Sequence, residues 1–367
     1  MTKNIKIFID NITQPWGTER AVINLANNLS SHGYIVEIIS SYSTSGKAAF
    51  ATAPNITITH LSIPQIKTKS SSFATFINLC RMYSRFSRNL YNQNTILIGT
   101  NSVINSLLVL IRFMQRHKIG KVIGCEHLPY SFGTKFTFLL KRVSYRYLDH
   151  LVLLTERDAL KYRKFGLTNL QVIPNEAPNI IPNLGKKREN IIISVGRLTD
   201  QKGFDLLIKE ISPLMHKFED WKVEIYGEGE LRPLLSQMIT DLRMENKIFL
   251  HGAVENIHDK YQNSSIYLMT SRYEGFAMVL LEAQANGLPI VAYDCDTGPS
   301  EIVHNGQNGY LIPMGHSDDF RKRVEELIKD SEKREAMGHE ALRSVQQFGC
   351  ERIFLKWQAL VESGNVG

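Results

Sequence analysis

Short aliphatic runs alternate along this chain with longer stretches of helical periodicity, and the alternation halts once, at a proline-rich segment, before it resumes. Strand followed by helix, repeated, is the pattern of parallel sheets, because parallel neighbours need a long crossover and the crossover is usually a helix. In the first half the strand-like runs are 5–9, 36–40, 56–60, 95–98, 121–124, 151–154 and 171–173. Helical stretches there cover 19–32, 73–91, 102–116, 135–147 and 156–164. The second half has strand-like runs at 191–195, 222–226, 248–251, 266–269, 290–293 and 309–312, and the tail from 351 to 362 is helical and carries Trp357. Between the halves, residues 174–185 hold three prolines and three asparagines, which favour an extended connection. The expected fold is therefore α/β, with two Rossmann-like parallel-sheet domains, 1–178 and 184–350, and a final helix at about 351–367. For 367 residues two cores are the default.

Composition narrows the class. Apolar residues at 43% and charged residues at 22% are those of a globular chain with sizeable cores. Cys80, Cys125, Cys295 and Cys350 have no ligand-like spacing, so they read as reduced, buried thiols of a cytoplasmic protein. The N-terminus runs straight into a strand, with no signal-peptide pattern. The most apolar stretch, 103–114, contains Asn105, Ser106 and Arg112 and is shorter than the ~20 residues a membrane span needs. It reads as a core helix.

Five segments carry candidate chemistry. After the strand at 266–269, the run from Ser271 to Pro289 reads as a glycine loop and then a helix from about Ala277 to Asn286 that Gly287 and Pro289 end, with Glu274 and Gly275 at its start. Open amides at such a start favour an anion or polarised hydroxyls. On one helix, Glu274 and Glu282 would stand roughly 12 Å apart along the axis and ~80° apart around it, a span for two parts of one elongated ligand. The alternative is a solvated Glu282 and a simple N-terminal charge at Glu274. After the strand at 191–195, Arg197 can grip phosphate oxygens in a fork and Lys202 can add a point charge, which would stabilise a leaving pyrophosphate. Either cation alone also fits a surface charge. Gly298 and Pro299 open a further helix start, and the nearby Asp294-Cys295-Asp296 carries little weight as a metal motif. In the first half, Gly17 lets a ligand approach the backbone at a helix start, and His127 sits at the end of the strand 121–124. A lone histidine there is either structural or cleft-facing. No G-x-G-x-x-G follows the first strand, so a nicotinamide fingerprint is missing.

Taken together these segments resemble the retaining glycosyltransferases of family 4, which have the GT-B fold with two domains facing across a cleft. The matching pieces, in order, are the loop with Glu19-Arg20, Glu126-His127, Val172-Ile-Pro-Asn175, Val195-Gly-Arg197, Gln201-Lys-Gly203, Tyr226-Gly-Glu-Gly229, Phe249-Leu-His-Gly252 and the Glu274/Glu282 pair. The resemblance implies an acceptor-binding first domain, with the final helix packing back on it, and a second domain for a nucleotide sugar, by family habit a UDP-sugar. Arg197 and Lys202 would clamp the diphosphate, and Glu282 would hold the ribose. Glu274 with the amides of Gly275, Phe276 and Ala277 would hold the transferred sugar, with Gly17 and His127 near the reacting centre. It implies a metal-independent reaction without cofactor, retention by same-face attack, and a glycan or lipid-linked acceptor of capsule or O-antigen type. Where relatives have a Gly-Gly doublet this chain has Trp16-Gly17, so Trp16 is expected to shape the acceptor end. Two further readings stand beside this one: a transferase-like subunit without turnover, and a nucleotide-sugar epimerase.

Charge is uneven. Residues 1–183 hold 21 Lys+Arg against 8 Asp+Glu, a net +13, which leaves −6 for the rest of a chain whose total is +7. Arg81, Arg85 and Arg88 share a helical face in a segment with Phe73, Phe76, Phe86 and Tyr91. Further cations cluster at Arg112, Arg116 and Lys118, at Lys135, Lys141, Arg142 and Arg146, and at Lys161, Arg163 and Lys164. With no nucleic-acid-binding module recognisable, the expected partner of this half is an anionic membrane surface, reached peripherally from the cytoplasmic side of the inner membrane.

Overall fold

The chain divides into two units, Met1–Glu176 with Glu351–Gly367, and Ala177–Cys350. The computed structural model describes residues 3–43, 46–64, 72–88, 95–115, 120–182 and 187–363, and within 72–77 only the backbone. Tyr91, Arg116, Lys118, the side chains of Phe73 and Phe76, residues 183–185 and the end of the tail lie outside the described residues.

The first unit runs β1 (Asn4–Ile9), α1 (Gly17–Ser31), β2 (Ile35–Ser40), β3 (Thr57–His60), α2 (Ser72–Arg88), β4 (Thr95–Gly99) and α3 (Ser102–Met114). It continues through β5 (Val122–Glu126), α4 (Lys135–Ser144) with a 3-10 turn at Tyr145–Tyr147, β6 (His150–Leu153), α5 (Glu156–Arg163) and β7 (Leu170–Val172). The second unit holds β8 (Ile191–Val195), a 3-10 turn at Asp200–Lys202, α6 (Phe204–Lys217), β9 (Lys222–Tyr226), α7 (Arg232–Asp241), β10 (Ile248–Gly252) and α8 (Ile257–Asn263). After these come β11 (Ile266–Met269), α9 (Met278–Ala285), β12 (Ile290–Asp294), α10 (Pro299–Ile302), β13 (Gly309–Pro313), α11 (Ser317–Lys329) and α12 (Ser331–Ser344). The chain then ends in α13 (Cys350–Glu362).

Both sheets are parallel and doubly wound. Their orders are β3-β2-β1-β4-β5-β6-β7 and β10-β9-β8-β11-β12-β13. The strand order therefore reverses between β1 and β4 in one unit and between β8 and β11 in the other. Loops leaving the carboxyl ends of those strands are where such sheets bind ligands.

Alternation along the strands explains the layers. In β1, Ile5, Ile7 and Ile9 pack on one side with Val22, Ala26 and Leu29 of α1 and with Phe354 and Trp357 of α13. Phe8 points the other way, into a cluster with Phe86 of α2 and Leu108 and Ile111 of α3. α13 thus completes the core of the first unit, and Lys121 fixes it by donating to the carbonyls of Leu360 and Ser363. Asn101 starts α3 by accepting from the Val103 and Ile104 amides, and Thr155 does the same for α5.

Two expectations need correction. The 103–114 stretch is not a core helix throughout. Ile104, Leu108 and Ile111 are buried, but Leu110, Phe113 and Met114 are exposed, because only one face of α3 meets the sheet. Of the cysteines, Cys125 and Cys295 are buried, whereas Cys80 on α2 and Cys350 at the start of α13 are exposed. Among the described residues no helix is long and apolar enough to cross a membrane.

Candidate functional site

In the second unit, the loops after β8 and β11 meet at the switch point. The first carries Arg197, Gln201 and Lys202, and the second carries Ser271, Arg272, Tyr273 and Glu274. The two are joined by Arg272 N to Gln201 O at 2.8 Å, Thr270 Oγ1 to Gly203 O at 2.8 Å and Gln201 Nε2 to Tyr273 O at 3.1 Å. Gly203 is left-handed, at φ 63°, and a Cβ there would stand 2.1 Å from the Thr270 carbonyl oxygen. Only glycine lets the loops come this close.

At the centre of the junction Lys202 Nζ donates to Glu274 Oε1 at 2.6 Å. The lysine side chain is 15% exposed and the carboxylate 6%. Ser271 Oγ donates to the same oxygen at 2.7 Å, and Thr297 Oγ1 donates to the Glu274 carbonyl. The carboxylate is thus fixed in position by a cation, a hydroxyl and a held backbone. Arg197, on the same loop as Lys202, is exposed and donates to Gln201 Oε1 at 3.2 Å. Cys295 lies within the same field. Burial, with the charge of Glu274 next, pushes its thiol up to about 12, so it is a neutral thiol at ordinary pH.

Glu274 does not lie on α9. The helix begins only at Met278, after Gly275, Phe276 and a left-handed Ala277 at φ 68°. The axial spacing expected for Glu274 and Glu282 therefore does not apply, because a turn intervenes. A left-handed non-glycine residue is uncommon, and such strain clusters at functional sites. Here the turn is locked from outside: a Cβ on Gly298 would come within 2.8 Å of the Phe276 backbone.

Glu282 is on α9 and is buried, 4% exposed, so it is not a solvated helix residue. Tyr261 Oη donates to its Oε2 at 3.0 Å. The neighbouring Tyr267 hydroxyl donates to the Val195 carbonyl at 3.4 Å, which ties this corner to the end of β8. Burial and the Glu282 charge raise the Tyr267 phenol well above its usual range.

In the first unit, Gly17 begins α1, and a Cβ there would meet nothing within 4 Å. His127 follows β5. Its Nδ1 is buried with no hydrogen-bond partner among the described residues, and desolvation lowers its pKa to about 4. The strand end beneath it is braced: Glu126 pairs with Lys141 at 3.2 Å and accepts from Tyr145 Oη, while Asn105 Nδ2 donates to the Cys125 carbonyl at 3.0 Å. Gly17 and His127 lie in one unit, and Arg197, Lys202, Glu274, Gly275, Phe276, Ala277 and Glu282 in the other.

Sequence reasoning missed several residues. Arg272 forks onto the Asp205 carboxylate at 2.9 and 2.7 Å and onto the Asp200 carbonyl at 2.7 Å, bracing both loops. That fork holds the Asp205 carboxyl below its ordinary range. Arg272 sat inside the motif, so an arginine two residues before the glutamate was the available signal. Tyr261 acts from another element and gave none; Thr297 stands at the Gly298-Pro299 helix start, but its hold on the Glu274 carbonyl needed the fold. Asp10, at the end of β1, also escaped notice: burial raises its carboxyl, partly offset by a hydrogen bond with Asn101 at the end of β4. Among the described residues no group of three or more His, Cys, Asp or Glu side chains could hold a metal ion.

Two doubly wound parallel sheets in one chain, one with a lysine–carboxylate pair at its switch point, define a GT-B type of protein. The crystal structure of a point mutant of S. aureus TarM with UDP, fondaparinux and α-GlcNAc-glycerol superposes with a TM-score of 0.82 at 15% identity, over 99% of this chain and 100% of that one. Residues 176–344 match the family model described as Glycosyl transferases group 1. An uncharacterized glycosyltransferase of Haemophilus influenzae is 30% identical over 365 residues, 98% of this chain and 100% of the relative. The amylovoran biosynthesis glycosyltransferase AmsD of Erwinia amylovora is 28% identical over 363 residues, 97% of this chain and 98% of the relative. The chain belongs to the glycosyltransferases, and its residues 176–344 form a group 1 domain.

Proposed function

We propose that this protein is a retaining, family 4 glycosyltransferase that moves a hexose or N-acetylhexosamine from a nucleotide diphosphate sugar to a glycan or lipid-linked acceptor in bacterial surface polysaccharide synthesis. The likeness to an amylovoran transferase supports the polysaccharide setting, and the UDP in TarM supports a UDP-sugar as donor. The observation that carries the reading is the buried Lys202–Glu274 pair between the switch-point loops. Lys202 has hydrogens beyond the one given to Glu274, and we assign these to the donor's β-phosphate, with Arg197 reaching the same group from the rim. As the glycosidic C–O bond breaks, negative charge grows on that phosphate, and fixed cations stabilise it without reorganising. They do the work a metal would otherwise do.

Glu274 presents its second oxygen, Oε2, to hydroxyls of the transferred sugar, beside the amides of Gly275 to Ala277. Glu282, oriented by Tyr261, takes the ribose hydroxyls. Retention follows if the acceptor hydroxyl attacks from the face the diphosphate leaves, giving its proton to the departing phosphate. His127, neutral above pH about 4, donates or accepts a hydrogen bond near the sugar and carries no charge. The basic first unit would bring the enzyme to the cytoplasmic face of an anionic membrane.

The test has two stages. A panel of nucleotide sugars screened by thermal shift identifies the donor, and turnover with a lipid-linked or oligosaccharide acceptor is then followed by nucleotide diphosphate release and by NMR of the new anomeric centre. The product should keep the donor's configuration. Inversion would remove the retaining assignment, and a diphosphate bound away from Arg197 and Lys202 would remove the site.

A further inference from the structure

Away from the strand-end loops, the first unit has a groove of ≈ 550 Å³ between α2, α3 and α4. Leu79, Leu107, Leu110, Phe113, Leu140 and Val143 form its walls. Several of these are open to solvent: Leu110 is 48% exposed, Phe113 44% and Val143 58%. The few polar groups in the lining are already satisfied. The Ser106 and Ser144 hydroxyls lie 2.9 Å apart and each has a carbonyl of its own helix in reach, so their two hydrogens are taken up among these acceptors, and Tyr83 Oη meets the Met114 sulfur at 3.1 Å. An occupant therefore needs hydrocarbon and no hydrogen bonds.

Charge then selects the occupant. The sequence has no Asp or Glu from Ile38 through Cys125, and none on α2, α3 or α4. Of the cations on these elements, Arg112 turns to Asp149 and Lys141 to Glu126. Arg81, Arg85 and Arg88 on α2, Lys135 and Arg142 on α4, and Arg146 in the turn after it are exposed. Phe86, in the same segment as the α2 arginines, is buried and faces the sheet. A second copy of this face would set cation against cation, which disfavours self-association. An aliphatic chain with an anionic headgroup satisfies both the apolar walls and the positive charge of the helices that form them.

We propose that the groove takes the aliphatic chain of an anionic membrane lipid, to whose charged surface the exposed cations of α2 and α4 are drawn. This deepens the membrane setting of the proposed function but needs none of its transfer chemistry. The full chain is floated with phosphatidylcholine vesicles, with and without phosphatidylglycerol. It should rise with the anionic vesicles and stay down with the neutral ones. Replacing Arg142 and Arg146 by Gln should weaken binding about fivefold per charge. The double variant Leu110→Asp, Val143→Asp should lose the vesicles while keeping wild-type circular dichroism and UDP-induced thermal shift. Should that variant misfold, phosphatidylglycerol with a diazirine in its acyl chain decides on the wild type: labelled peptides should come from α2, α3 or α4. Equal flotation with neutral vesicles, wild-type flotation of the folded Asp variant, or labelling confined elsewhere would each overturn the proposal. So would a lipid-free dimer that the Asp variant breaks. A chain that floats as expected yet transfers no sugar upholds the groove and sinks only the enzymatic reading.

Discussion

Removing the Lys202 charge should separate what the lysine does for the fold from what it does for a donor. The ammonium lies 2.6 Å from a carboxylate that is only 6% exposed. Lys202→Met keeps most of the stem but leaves Glu274 buried without its cation, a change that costs about 3–5 kcal/mol when one partner of a buried pair is lost. For a unit of this size that lowers the melting temperature by about 6–20 °C. Adding Glu274→Gln removes the stranded charge and keeps an acceptor for Ser271, so the double variant should recover most of the stability, with a coupling of about 2 kcal/mol or more. Donor affinity should behave differently. Losing a charge-assisted bond to phosphate weakens UDP binding by about 1.5–3 kcal/mol, roughly 10- to 150-fold, in both variants. Urea unfolding and calorimetric UDP titration read the two effects. If Lys202→Met unfolds within about 0.5 kcal/mol of wild type, the pair has the worth of a surface contact and its burial means nothing. If the double variant regains UDP affinity, Lys202 acts only through Glu274 and touches no phosphate.

Tyr261→Phe, which deletes one hydrogen bond to the buried Glu282 carboxylate, should cost about 1.5–3 kcal/mol of stability and also raise the Kd for UDP; an unchanged Kd would detach Glu282 from the ribose. For His127 the folded pKa of about 4 lies below the ~6.5 of an unfolded histidine, so between those values the unfolded chain binds more protons. Its contribution to stability is whole above pH about 6.5 and is lost as the pH falls toward 4; His127→Gln should flatten the wild-type loss between pH 6.5 and 5 in urea titrations, and parallel curves would refute the burial. Trp357→Ala should destabilise the first unit by about 3–5 kcal/mol, because the ring closes the core shared with β1 and α1. A loss confined to the second unit's unfolding transition would contradict that packing.

The strands were legible because buried parallel strands are nearly continuous aliphatic runs, as in Ile191–Val195 and Ile290–Asp294, and few other segments look like that. The Lys202 and Glu274 loops were legible as strand ends followed by glycine. The start of α9 was legible too, expected at about Ala277 and found at Met278, but the left-handed turn before it was not. A left-handed alanine is unfavourable on local grounds, and it is held by Thr297 and Gly298 some twenty residues away, which no local pattern records. The Arg272 fork needed the register of two loops. On α3, periodicity told which residues face the sheet but not that α2 and α4 leave part of the opposite face uncovered, so Leu110, Phe113 and Met114 read as core.

The chain leaves the first unit at Glu176 and re-enters it at Glu351. The second unit is thus an insertion within the first, and α13, which seals the core of β1 and α1, comes after all of it. On a ribosome the inserted unit is complete, and free to fold, before the unit that precedes it can close. Until α13 emerges, Ile5, Ile7 and Val22 lack part of their cover, so the first unit's core stays open on one side while the whole of the second unit is made.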